Sequence, residues 1–138
     1  MSQQDMPSGQ QACEHEQELV RRYILFGILF RVAMADLEHV CSVPLKLSYN
    51  GFFQGFFQEM SRWAERQHHQ IRRLLRKQGC YVVSSRRQGH VYVVQYRQRG
   101  YLREAVYSIE ILRAECQELV RLWTAGADKQ LQPGKRAT

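Results

Sequence analysis

Carboxylates are almost missing from one stretch of this chain. Between residues 61 and 100 there is one acid, Glu65, against ten Lys/Arg, a local balance of +9, while the other 98 residues carry ten bases and twelve acids, so the overall +7 is concentrated in one segment. Such asymmetry points to an acidic partner: nucleic acid, a membrane surface or an acidic protein. Long apolar runs are also lacking. The run from Tyr23 to Phe30 covers eight residues before Arg31, whereas a helix that spans a bilayer takes about 20. With Asp36 and Glu38 following closely, no membrane span is expected. The first dozen residues are polar and hold no secretory signal. The four cysteines, Cys13, Cys41, Cys80 and Cys116, are scattered without a C-x-x-C pair. A reduced, cytoplasmic protein is the simplest account of them. A phosphate-cradling glycine loop, a nucleophilic serine motif and a paired-carboxylate motif are all absent. The residues therefore point to a binding protein rather than an enzyme, with no cofactor.

What is present is dominated by the stretch from Phe52 to Lys77. Wound as a helix, it places Phe53, Phe56, Phe57, Met60, Trp63, Ala64, Ile71, Leu74 and Leu75 on one side at three-and-four spacing. Arg62, Arg66, His69, Arg73, Arg76 and Lys77 form a row on the other. One side requires a core; the other suits water or an anion.

The chain of 138 residues, 44% hydrophobic and 24% charged, fits one folded domain. Residues 1–13 are Gln/Ser-rich and read as a flexible tail. Glu14 to about Cys41 reads as a long helix with Glu14, Glu16 and Glu18 in its first turns, where negative charge suits the helix dipole. Between Leu19 and Leu37 its apolar residues nearly encircle it, as in a buried pillar or half of a homodimer interface. Gly27 lies mid-helix, at a cost of about 1 kcal/mol against Ala, and admits close approach of another helix. Ser42-Val43-Pro44 stops this helix, and Asn50 or Ser48 caps the next. Gly79 ends the basic helix. The period then changes to two: Cys80–Ser84 and His90–Tyr96 read as the strands of a hairpin at about 80–97, turned at Arg86-Arg87-Gln88-Gly89. A hairpin alone is marginal in water, so it must pack on the helices or find a third strand. A last helix is expected from Tyr101 to about Trp123, with Leu102, Ala105, Val106, Ile109, Leu112, Cys116, Leu119, Val120 and Trp123 inward. Residues 125–138 read as a second flexible tail. The fold class is α+β, mainly helical: helix, helix, β-hairpin, helix in a single domain spanning 14–124.

The candidate site is the basic helix row together with Arg86 and Arg87 at the hairpin tip and Arg97 and Arg99 at its exit. Arginines at regular helical spacing can lie against phosphates and release condensed counterions. Tyr81, Tyr92 and Tyr96 interleave with them and suit stacking on bases, or packing of the hairpin onto helices. The first expectation is a small regulatory protein that binds DNA or RNA. The alternative is an adaptor or inhibitor that uses the same face on an acidic protein, since arginine serves both. Cys13-Glu14-His15 and His39-Val40-Cys41 each pair a thiol with an imidazole. About 24 residues of helix hold the pairs some 35 Å apart, so no metal site is expected. His68, His69 and His90 are the residues capable of acid–base work, and none has a partner visible in the sequence.

Overall fold

The computed structural model describes residues 8–42 and 50–131, with side chains from 14 to 42 and from 51 to 126. Three helices and a three-stranded antiparallel sheet follow one another as α1 (Ser8–Ser42), α2 (Asn50–Lys77), β1 (Cys80–Gln88), β2 (Val91–Gln98), β3 (Tyr101–Ser108) and α3 (Ile109–Leu131). The sheet order is β1-β2-β3. The Pro44 stop and the Ser48 cap fall in residues 43–49, outside the described residues, as do residues 1–7 and 132–138 of the expected tails.

The long apolar first helix is the pillar of the domain. Leu19, Val20, Ile24, Phe26, Leu29 and Ala33 of α1 are buried in one cluster with residues of α2 and the sheet. From α2 come Met60, Ala64, Ile71 and Leu75; from the sheet come Cys80, Val94 and Tyr96. Trp63 of α2 meets Phe26 edge-on at 5.3 Å and stacks at 5.9 Å on Trp123 of α3, so three aromatic rings join the three helices. Because most of its apolar surface is spent within the chain, α1 leaves Val32 and Met34 as its exposed large hydrophobics. The inward face expected of α2 is confirmed at its centre, but Phe53 and Leu74 are exposed. Phe53 lies in the first turn of the helix, and Leu74 toward one side of the apolar arc. Among the described residues, no helix is long and apolar enough to cross a membrane.

The sheet departs from the expected hairpin in three ways. First, β1 runs on to Gln88, and Gln88 pairs with Val91. The turn is therefore Gly89-His90, with Gly89 at φ 60, and Arg86 and Arg87 are strand residues opposite Val93 and Tyr92. Second, a bulge between Val82 and Ser84 shifts the register of β1. Third, Tyr101–Ser108 is a strand, not the start of the last helix. Gln98 pairs with Tyr101 across the two-residue turn Arg99-Gly100, both at positive φ (52 and 89). Two left-handed residues in succession are the mark of the hairpin turn whose twist matches antiparallel strands. Leu102 and Val106, assigned to a helical core face by their spacing, are exposed on the sheet. The helix begins only after Ser108, whose Oγ accepts from the Ile111 amide at 3.4 Å, the position of an N-cap. From Leu112 onward the expected inward face of α3 holds: Leu112 is buried and Cys116, Leu119, Val120 and Trp123 pack against the core. The helix continues to Leu131, about two turns past Trp123.

Polar contacts from Arg21 and Glu16 tie α1 to distant parts of the chain. Arg21 bridges to Glu115 of α3 and to Glu18 at 2.8 Å. Glu16, 1% exposed, accepts hydrogen bonds from the Gln98 amide and, at 3.0 Å, from the Arg99 guanidinium.

Candidate functional site

The two opposite faces of α2, set by one helical period, generate the site. Its apolar positions turn toward α1, which forces Arg62, Arg66, His69, Arg73, Arg76 and Lys77 outward, and all six are exposed. At about 1.5 Å per residue they extend over roughly 22 Å of helix. Arg62 is engaged by Glu59 at 3.1 Å, an exposed pair of the kind worth only a few tenths of a kcal/mol. None of the other five is in an ion pair among the described residues. Arg76 and Lys77 also occupy the last turn of α2, where positive charge complements the helix dipole.

The sequence reading missed Arg72. It lies on the flank of the same arc and lines two clefts between α2 and β1, one shared with Arg76 and Tyr81, the other with His68, His69 and Tyr92. Arg72 directly precedes Arg73, and a helical wheel places it about 90° from the centre of the row, which is the signal that could have found it.

The strand arginines do not join this row as a group. Being consecutive, Arg86 and Arg87 point to opposite faces of β1. Arg87 donates to the Gly89 carbonyl at 3.1 Å and borders a hollow beside α1 and α3. Arg97 donates to the Gly100 carbonyl at 3.1 Å and so clasps its own turn. Arg99 is neutralised by Glu16 at 3.0 Å. It lies near the end of α2, sharing a small cleft with Lys77. Of the three tyrosines, Tyr96 is buried, and Tyr92 donates to Ser85 at 3.3 Å while accepting from Arg31 at 3.1 Å. Only Tyr81 is exposed, next to Arg72 and Arg76.

His68 belongs to the core side of the row. Its ring stacks on Tyr23 at 4.1 Å. Gly27 makes room for it: a Cβ there would lie 3.2 Å from the His68 Nε2. Burial lowers the His68 pKa from its ordinary 6.5, and the nearby His69, Arg72 and Arg31 lower it further. The unfolded chain therefore binds this proton more readily than the folded one. Stability is expected to be level above about pH 6.5 and to fall as pH drops from there toward the lower folded-state value. Urea unfolding at pH 7.5, 6 and 5 should show that decline, and His68→Phe should flatten it. An unchanged slope in the variant would assign the decline to other groups.

Chemistry at Cys80 and Cys116 is disfavoured. Burial pushes the thiols of Cys80 and Cys116 up to about 11, so both are protonated near neutral pH and are poor nucleophiles. His90, at the β1–β2 turn, is exposed. Of the pairs weighed for a metal, Cys13 lies outside the described side chains, and no group of three His, Cys, Asp or Glu among the described residues is placed to hold an ion.

A family model described as YhjD protein matches residues 11–128 of the chain. No curated protein and no solved structure matches it.

Proposed function

This chain belongs to the YhjD protein family, a membership that prescribes no activity, and from that footing we propose that it is a non-enzymatic protein that binds the phosphate backbone of nucleic acid along the outer face of α2. One observation carries the reading: Arg66, His69, Arg72, Arg73, Arg76 and Lys77 are exposed on one arc without an ion-paired carboxylate among the described residues. The reading draws less on the strands than the sequence suggested, since Arg97 and Arg99 are engaged by their own chain and Arg87 faces elsewhere. Tyr81, exposed beside Arg72 and Arg76, is the side chain available to stack on a base. The protein works in the cytoplasm on this reading, where the thiols of Cys41, Cys80 and Cys116, free in the fold, stay reduced.

The test is a salt series. With about four or five phosphates neutralised, affinity for duplex or single strands should fall roughly 10²- to 10³-fold between 50 and 200 mM salt. The double reversal Arg66→Glu with Arg73→Glu should weaken binding for every sequence and flatten the salt slope by about two. Salt-independent binding, or none, would remove the proposal.

A second reading, an adaptor or inhibitor for an acidic protein, is favoured by the outer face of the sheet. Tyr81 and Leu102 flank Arg97 there as its register partners, and both are exposed, as are Val83 and Val106. Exposed apolar side chains around an arginine are typical of protein contacts. A partner that survives nuclease treatment and is lost with Arg97→Glu would support this reading over the first.

A further inference from the structure

A half-open hollow of about 680 Å³ is bordered by α1, the sheet and the first turns of α3. Its apolar wall comes from Ile28, Leu29 and Val32 of α1 and from Leu112 and Val120 of α3. Three arginines border it, each from a different element: Arg31 from α1, Arg87 from β1 and Arg113 from α3. No carboxylate lines it. Neither Arg31, Arg87 nor Arg113 takes part in an ion pair among the described residues.

We propose that this hollow binds an amphipathic anion, a free aliphatic carboxylate whose chain lies against the α1–α3 wall and whose head is held by Arg31, Arg87 and Arg113. The volume lies within the range of small-molecule sites, roughly 300–1,000 Å³, which combine an apolar lining with a few placed polar groups. The three cations converge through the tertiary fold, since 56 residues separate Arg31 from Arg87 and 26 separate Arg87 from Arg113. No carboxylate among the lining residues offsets their charge, so an anion is the complementary ligand. Each guanidinium has donors to spare. Arg31 gives one hydrogen bond to the Tyr92 hydroxyl and Arg87 one to the Gly89 carbonyl, out of five N–H groups apiece. Those bonds hold two of the guanidiniums in place while leaving the fork geometry that suits a carboxylate. Arg31 has a second use in this arrangement: through Tyr92 and Ser85 it connects α1 to β1. The site is separate from the phosphate-binding reading in its residues: none of the α2 row lines it, although Arg31 and Tyr92 also border the cleft that holds His69 and Arg72.

The experiment is calorimetric titration of the full chain with decanoate, below its micellar range, against decanol and acetate as tail-only and head-only probes. One decanoate per chain should bind saturably, and decanol and acetate should each bind at least tenfold more weakly. Arg31→Ala with Arg113→Ala, both at exposed positions, should weaken decanoate roughly tenfold or more, the loss expected for charge-assisted hydrogen bonds. Val32→Glu, which adds a carboxylate at a half-exposed part of the wall, should abolish binding without unfolding the chain. Arg73→Ala with Arg76→Ala should leave it unchanged. The proposal is overturned if decanoate does not bind, if decanol matches it, or if the α2 variant and not the Arg31/Arg113 variant removes binding.

Discussion

Phe26→Ala is expected to lower stability by about 4 kcal/mol, the range for emptying a buried phenylalanine site being roughly 3–5 kcal/mol. Phe26 is among the largest fully enclosed side chains, and its ring is the one through which α1 meets Trp63. Trp63 in turn stacks on Trp123, which also lies 5.5 Å from Phe56. Truncation therefore removes apolar burial and leaves a void bounded by rigid indoles that cannot collapse into it. A domain of this size has about 5–15 kcal/mol in total, so the variant should unfold at far lower denaturant, with an unchanged dependence on denaturant concentration. Phe26→Leu, closer in volume, should lose less than about 1.5 kcal/mol. A loss below about 1 kcal/mol for the alanine variant would show that the three-ring joint is not where the helices are held.

The second large effect is expected at Arg99. Removing one partner of a buried ion pair commonly costs about 3–5 kcal/mol, because the other charge stays buried. Glu16 is enclosed, but the Arg99 side chain is 52% exposed, and screening by water brings the expectation for Arg99→Ala to about 2–3 kcal/mol. Arg99 also occupies the left-handed region at φ 52, where a non-glycine residue is strained and asparagine is tolerated. Arg99→Asn should therefore be more stable than Arg99→Ala by about 0.5–1 kcal/mol while remaining below the parent. The decisive measurement is a double-mutant cycle with Glu16→Gln. A coupling of more than about 1 kcal/mol is expected for contacting groups; additive losses would leave the turn geometry as the whole effect.

The parts of the molecule legible in the sequence are those where period and punctuation agree. α2 has a clean apolar arc from Met60 to Leu75, an arginine arc opposite and Gly79 just past its end, and it folds as that pattern dictates. α1 was readable as a pillar because its apolar residues encircle it. The stretch Tyr101–Ser108 was not readable in that way. Leu102, Ala105 and Val106 fit helical spacing as well as they fit a strand, and the preference was decided by Arg99-Gly100. That pair forms a tight hairpin turn although arginine is an unusual occupant of its first position. The requirement that the hairpin pack on helices or gain a third strand was sound, and the structure does both. For the site, periodicity could place the α2 row because a helix carries its own geometry. It could not show that Arg86 and Arg87 belong to a strand and diverge, or that Glu16 reaches Arg99 across 83 residues. Nor could it bring Arg31, Arg87 and Arg113 to one hollow, since that convergence exists only once α1, β1 and α3 are assembled.

The placement of α1 has a further consequence for how the chain is made. The pillar leaves the ribosome before α3, the strip that closes its far side: 89 residues separate Ser42 from Leu131. At a synthesis rate of about 5–20 residues per second, that gap is roughly 5–20 s. For that interval the nascent helix carries an uncovered oily flank, the kind of surface that chaperones are built to shield.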